Sequence, residues 1–387
     1  MVQVHDGRTT VVRRARSFAP AAIRLPVPVP RPILGVGAEL HSAFCLASGD
    51  RAFLSQHIGD LDTEDAMRGY RDALERYRVL FRVEPEAVAH DLHPDLLSTR
   101  FAEELGLPRF PVQHHHAHIV ATMAEHGLEG GVIGLAFDGF GFGDDGTAWG
   151  GEVLACDRSG YRRVGWLRRV RQPGGDAATR NPVRMALAHA CDAGVLEDAL
   201  PLLPLFEGET EAILGQLTTG FASPLTSSAG RLFDAIAALG GICPRSTYEG
   251  QAAMWLEQEA GATTAPAAEP VIVRTEDGML ELDTRPLVVD AVHDLTSGVA
   301  PAVVAARFHS SLAAAIAAMA AAAAAHQGLD RVVLGGGVFQ NRILVKDLCA
   351  RLSRLGLRVS VPTEVPVGDG GIALGQVLVA AARMEEV

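Results

Sequence analysis

The chain is predicted to be an α/β protein of two lobes facing a central cleft, on three observations. Short β-rich hairpins with glycine-bearing turns occur twice, from Ile33 and again from Val132. Helical patterns with an apolar face follow them, and the last third alternates helix and strand. With 387 residues, 48% of them hydrophobic, the chain is long enough for two cores.

In chain order, ILGVGAELHSAFCLASGDRAFLSQHIGD from Ile33 reads as three short strands, and TEDAMRGYRDALERYRVL from Thr63 as a helix. VIGLAFDGFGFGDDGTAWGGEVLACDRSGYRRVGWLRRV from Val132 reads as a second three-strand meander. From about Asn181 to Glu259 the pattern is mainly helical, and TTAPAAEP from Thr263 reads as a linker. A long helix from Pro301 then leads to the strand RVVL, a helix, the strand LRVSVP, and a final helix starting near Gly370. Two hairpin-led units suggest a duplicated β-β-β-α-β-α core, the plan of actin-like and sugar-kinase-like ATPases, in which hairpin turns from each lobe grip phosphates. The expected division is an extension over 1–31, a first lobe over 32–180, and a second lobe over 181–387.

Charge and cysteine usage narrow the function. Lys and Arg total 34 against 46 Asp and Glu, a net charge of −12, which argues against nucleic acid as a partner. The five cysteines are widely spaced with no C-x-x-C pair, so neither a disulfide framework nor a structural zinc module is expected. The most apolar run, LAAAIAAMAAAAAA from Leu312, is shorter than the ~20 residues a bilayer span needs and reads as a buried helix. The N-terminus carries charges where an export signal needs an apolar core, leaving the cytoplasm as the expected compartment and no membrane partner.

The stretch QHHHAHIVATMAEHG from Gln113 places four histidines within five positions of what reads as an amphipathic helix. His114 and His118 are i and i+4 and share a face, so two neutral imidazoles can reach one metal ion. His115 and His116 point elsewhere, and Gly127 is the expected C-terminal cap. Asp369 in VGDGG and Asp138, at the end of VIGLAF, each precede glycine and are carboxylates available to such an ion. Gly335, Gly336 and Gly337 follow a buried strand and let backbone N–H groups approach an anion or a ring.

QHHHAH, FDGFGFGDDGTAWGGE, PGGDAATRNPVRMALA, SSAGRLFDAIAALGG, YEGQAAMWLE, LGGGVFQNRIL and DGGIALGQ, in this order over roughly 32–383, closely resemble the C-terminal half of the HypF carbamoyltransferases of [NiFe]-hydrogenase maturation. The resemblance implies a TsaD-like domain of the actin-like ATPase superfamily. It further implies a metal, Fe2+ or Zn2+, on His114, His118 and Asp369, and an adenine nucleotide, ATP, ADP or carbamoyl-adenylate. Asp138, Arg231 and Asp234 are expected at the catalytic centre. Gly139, Gly141, Gly143, Gly146, Ser228, Glu249, Gln251, Gly335, Gly336, Gly337 and Asn341 are expected to line the nucleotide and phosphate. The implied activity passes a carbamoyl group derived from carbamoyl phosphate to a C-terminal cysteine thiolate of a HypE-like partner.

Complete members of that family resemble a series of acylphosphatase, zinc-finger and YrdC-like domains followed by this half. The opening HDGRTTVVRRARSFAP is similar to the last strand and exit of the YrdC-like domain, so a shortened form is expected, with a separate YrdC-type protein or full-length HypF as a further partner. PVGDGG stands where family members commonly have PPNDGG, which removes an amide beside Asp369. Two other readings fit the same residues: metal-dependent hydrolysis of carbamoyl phosphate, and a non-catalytic nucleotide-binding scaffold.

Overall fold

A computed structural model describes residues 1–5 and 8–385; Asp6 and Gly7 of the opening HDGRTTVVRRARSFAP lie outside the described residues. The first half contains β1 (Val2–His5), β2 (Arg8–Val11), β3 (Ile23–Gly35), β4 (Cys45–Leu54), α1 (Glu64–Phe81), β5 (Ala87–Asp91), α2 (Leu97–Glu104), β6 (Arg109–Val112) and α3 (His114–Glu125). A meander follows: β7 (Val132–Phe142), β8 (Ala148–Cys156) and β9 (Tyr161–Leu167), then β10 (Val170–Arg171). The helical region comprises α4 (Asp176–Arg180), α5 (Pro182–Ala193), α6 (Leu196–Ala199), α7 (Glu207–Thr219), the short β11 (Leu225–Thr226), α8 (Ala229–Leu239) and α9 (Gln251–Ala260). The chain closes with β12 (Ile272–Arg274), β13 (Leu280–Leu282), α10 (Arg285–Thr296), α11 (Pro301–Gln327), β14 (Arg331–Gly335), α12 (Arg342–Arg354), β15 (Arg358–Ser360) and α13 (Ile372–Glu385).

Two sheets organise these elements into the expected two-lobed α/β plan. The smaller has the order β4-β3-β5-β6; the larger runs β12-β13-β9-β8-β7-β14-β15, with β11 beside β8 and β10 beside β11. Helices α3 and α13 pack against each other between the sheets, α13 on β3, β4 and β5, and α3 on β7 and β14. A central core results, joining Ile33, Val120, Met123, Ala136, Val333 and Leu374. A second core covers the outer face of the large sheet, where α8 and α11 pack, and a third lies under α1 and α2. The approach of α3 to α13 is close because residue 375 is glycine: a Cβ there would lie 1.9 Å from the Ala117 carbonyl oxygen.

Three expectations are corrected. Strand β7 pairs in parallel with β14, Ala136 opposite Gly335, so the meander from Val132 belongs to the second sheet, and the boundary between the sheets falls between α3 and β7 rather than at residue 180. The segment from Ile33 supplies two strands and not three, because β3 begins at Ile23, ahead of the expected start of the first lobe, and residues 36–44 form a loop. The prolines of IRLPVPVPRP conceal this strand: proline cannot donate to a ladder, and the β3–β4 register accordingly shifts between Arg24 and Val29 and again before Ile33. The first unit is thus β-β-α-β-α-β rather than a copy of the second.

The N-terminal residues are joined to the body of the molecule. Val11 N–H donates to Thr363 O (2.8 Å), the Arg14 guanidinium to Glu364 O (3.3 Å) and His57 N–H to Arg14 O (2.8 Å). Helix α11 is, by length and composition, the one helix among the described residues able to cross a membrane, but two thirds of its apolar window is buried within the protein, as the alanine-rich run implied.

Candidate metal centre

The candidate residues gather where β5, β6 and β14 end at their C-termini, the usual place for a ligand in an open α/β sheet. β6 leads through Gln113 into α3, where the Gln113 side chain caps the helix by accepting from His116 N–H. The helix is buried on every side from His114 to Ala124, so the amphipathic reading fails: His115 and His116 are fully buried too. Packed between two sheets, α3 has no solvated face. Gly127 does take the left-handed conformation just beyond the helix.

Asp138 sits in β7 where four residues, Asp138 to Gly141, take the place of two on β8, because Phe137 pairs with Gly151 and Gly141 with Trp149. This bulge turns the carboxylate out of the ladder. Its Oδ1 accepts from Gly139 N–H (2.7 Å), while Oδ2 lies 2.9 Å from His118 Nε2. Asp369 stands in a single 3-10 turn before α13, its Oδ1 3.5 Å from His118 Nε2 and 3.7 Å from His114 Nε2. One donor atom from each of His114, His118, Asp138 and Asp369 lies within 4.8 Å of the others.

The hydrogen bonding leaves this group incomplete. His114 Nε2 is buried with no hydrogen-bond partner, its nearest carboxylate oxygens 3.7 and 3.9 Å away, and His118 Nε2 and Asp138 Oδ2 face each other at 2.9 Å without a well-directed hydrogen bond, a costly state for three converging polar atoms. Burial by itself pushes both imidazoles down, yet the carboxylates outweigh it: Asp369 and Asp91 hold His114 well above the ordinary histidine value, and Asp138 and Asp369 raise His118. Burial would likewise raise Asp369, but the two imidazoles hold it far below the carboxylate range. The ring of His115 is pushed well below the usual value by burial and by its two histidine neighbours, so it stays neutral. Positive charge is wanted at the cluster, and two imidazoles with two carboxylates fit a divalent transition ion.

The sequence-derived site divides on inspection. His114, His118 and Asp369 come together, and Asp138, expected at the catalytic centre, joins them as a fourth donor. Gly337 borders the cluster, since a Cβ there would stand 3.2 Å from Asp138 Oδ1. Gly139 and Ser228 meet beside it: Ser228 Oγ donates to Gly139 O (2.7 Å) and caps α8 by accepting from Arg231 N–H. Arg231 and Asp234 form a buried pair, Nε to Oδ2 2.9 Å, and burial raises Asp234 to about 6 in spite of the guanidinium.

The other expected residues are engaged within the protein itself. Gly143 N–H already donates to Thr147 O and Gly146 N–H to Gly143 O, so neither amide is available to a phosphate; both belong to the β7–β8 turn. Gly141 is needed for packing, a Cβ there falling 2.4 Å from the His115 ring. Gly336, at φ 103°, turns the chain and donates to Val367 O; a Cβ would meet the Phe137 carbonyl oxygen at 2.3 Å. Asn341 caps α12 through Leu344 N–H (2.9 Å) and pairs with His309 Nε2 (2.8 Å). Gln251 accepts from Thr247 N–H (2.6 Å), and Glu249 reaches His41 Nε2 of the loop after β3 (3.0 Å). Sequence reasoning missed Asp91, whose carboxylate lies 2.8 Å from His114 Nδ1; its one signal was an aspartate ending the buried strand AVAHD.

A two-lobed α/β protein with a histidine–carboxylate cluster at its strand ends is the class that this fold and site define. Residues 28–125 match the HypF Kae1-like domain, and 134–376 match the second subdomain of the carbamoyltransferase Kae1-like domain. The chain belongs to the HypF carbamoyltransferase family. It is 43% identical over 97% of its length to carbamoyltransferase HypF of Rhizobium leguminosarum bv. viciae, covering 48% of that protein, so it spans about half the length of several curated relatives that it matches. A carbamoyltransferase HypF homolog of Cupriavidus necator is 40% identical over 91% of this chain and 92% of its own. The crystal structure of full-length HypF in the phosphate- and nucleotide-bound form superposes with a TM-score of 0.94 at 39% identity, over 99% of this chain and 60% of that one.

Proposed function

We propose that the chain carries out carbamoyl transfer at a metal centre held by His114, His118, Asp138 and Asp369: a cysteine thiolate of a HypE-like protein attacks the carbonyl carbon of carbamoyl-adenylate, the C–S bond forms, the bond from that carbon to the phosphate oxygen breaks, and AMP leaves. The supporting observation is the convergence of four donor atoms from His114, His118, Asp138 and Asp369 within 4.8 Å, with His114 Nε2 buried and lacking a hydrogen-bond partner, in a chain of this family. An Fe2+ or Zn2+ ion bound there would act as a Lewis acid toward the carbonyl or phosphate oxygen.

The protein's own groups do the positioning. The N-terminus of α8, capped by Ser228, abuts the Asp138–Gly139 turn, where a Cβ at Gly230 would be 3.0 Å from Gly139 Cα. Its helix dipole favours an anionic donor at that end. The Arg231 guanidinium, paired with Asp234, lies 4.0 Å from the position of a Gly139 Cβ and can offer N–H donors there. The glycine at 337 leaves the approach to Asp138 open for the adenine nucleotide. Carbamoyl phosphate and ATP enter the reading through the family, with a YrdC-type protein or full-length HypF as the source of adenylate.

The test supplies purified, metal-loaded chain with a HypE-like acceptor and measures carbamoylated thiol by mass spectrometry. Transfer from carbamoyl-adenylate, or from carbamoyl phosphate and ATP once a YrdC-type protein is added, supports the proposal. Metal-dependent phosphate release from carbamoyl phosphate without transfer would replace it with hydrolysis. Neither product under any donor would leave a nucleotide-binding scaffold.

A further inference from the structure

His114 presents one ring nitrogen to the cluster and the other away from it. Nε2 faces Asp369 and Asp138 without a hydrogen-bond partner, whereas Nδ1 lies 2.8 Å from Asp91 Oδ2, a carboxylate only 1% exposed. Asp91 is not among the four converging donors. Its position follows from strand register. Asp91 ends β5 opposite Val112, the end of β6, and His114 comes two residues after Val112. Two parallel strands therefore fix how far the carboxylate stands from the imidazole, although 23 positions separate them in the chain.

The carboxylate is held in one orientation. Oδ1 accepts from His93 N–H (2.9 Å), and the Asp91 carbonyl oxygen is 2.7 Å from His90 Nδ1, which ties down the backbone on which it stands. A fixed carboxylate at Nδ1 selects one neutral tautomer: the proton stays on Nδ1, and the Nε2 lone pair points into the cluster. An ionised partner at Nδ1 also makes Nε2 a stronger electron donor.

We propose that Asp91 is the positioning residue of this centre, fixing the tautomer, tilt and donor strength of His114 while touching neither the ion nor the substrate. This rests on the metal reading given above, and it predicts an affinity effect transmitted wholly through His114. The test uses the full chain stripped of metal and titrated with Zn2+ alone against a chromophoric chelator, so that no catalytic turnover is read.

Asp91→Asn keeps the size and one accepting oxygen but removes the charge, and should weaken Zn2+ about 10- to 100-fold. The thermal midpoint of its metal-free form is measured alongside, because removing a buried charge beside His114 also costs fold stability; Zn2+ affinity is compared at a temperature where both proteins are folded. Asp91→Glu, which restores the charge on a longer arm, should recover part of the affinity, and this recovery decides the matter if the asparagine variant folds poorly. In a His114→Ala background, Asp91→Asn should change Zn2+ affinity by less than about twofold, because the route through the imidazole is gone. Parent-like affinity in Asp91→Asn, or an equal loss with and without His114, would overturn the proposal while leaving the metal centre standing. Failure of the parent chain to bind Zn2+ would overturn both.

Discussion

Glu125, the last residue of α3, tests whether the loop leading to Asp369 is held by one buried carboxylate. Its Oε1 accepts from Thr363 N–H (2.8 Å), Glu364 N–H (3.1 Å) and the Thr363 hydroxyl, and its Oε2 from Val365 N–H (2.9 Å). Replacement by glutamine keeps the three bonds at one oxygen and turns an N–H toward Val365 N–H, while the flipped amide faces three donors and is worse. Bonds to an ionised acceptor are about twice as strong as neutral ones, so the three surviving bonds lose roughly 0.7 kcal/mol each. The donor left unpaired at Val365 costs about 1 kcal/mol more, giving ~3 kcal/mol in all for Glu125→Gln. Urea unfolding measures this, and hydrogen exchange at the Thr363, Glu364 and Val365 amides localises it. Faster exchange there, with weakened Zn2+ binding because Asp369 follows on the same loop, is the expected result. A change below about 0.5 kcal/mol with parental exchange would refute the reasoning, since a bond set of that kind cannot vanish silently.

Other perturbations separate the site from its scaffold. Substituting His118 by alanine should abolish most of the bound transition metal while the fold survives, as for an open catalytic site rather than a closed structural one, and elemental analysis of unchelated protein reads it directly. Gly336→Ala should destabilise the whole molecule, because φ 103° and the Phe137 carbonyl both oppose a Cβ; Gly337→Ala, aimed at Asp138 Oδ1, should weaken ADP or metal binding with little change in thermal midpoint. Calorimetry on the pair contradicts this assignment if the two variants behave alike. His189, buried in α5, is pushed down to about 4 by burial, against an ordinary 6.5, so below pH 6.5 the unfolded chain takes up a proton that the folded one refuses. Stability from this group is complete above pH 6.5 and falls with acid, by about 2 kcal/mol at pH 5; a His189→Gln variant whose urea midpoint drops just as steeply between pH 7 and 5 would contradict it.

The sequence by itself determined the local elements and part of the ligand set. The helix from Thr63, the Val132 meander, the alanine-rich core helix and the final helix all stand where turn chemistry and apolar period put them, because those signals act over a few residues. An i,i+4 histidine pair is likewise a local fact, and the geometry of any helix aligns it. Tertiary structure alone decided the rest. The bulge at Asp138 brings an expected catalytic carboxylate beside His114, His118 and Asp369, and parallel register sets Asp91 behind His114. The amides of the turn glycines Gly143 and Gly146 are hydrogen bonded within the β7–β8 turn, a pairing that the glycine pattern alone does not reveal. The histidine-rich helix read as amphipathic, with His114 and His118 on one face and His115 and His116 pointing elsewhere; packing between two sheets buried all four and fixed their partners: His114 and His118 face the carboxylates, His115 lies against Trp149, and His116 reaches the Asp157 carbonyl. A sequence states which side chain each residue brings, whereas its partners are fixed by strands and helices that meet from distant parts of the chain, through registers that no local pattern encodes.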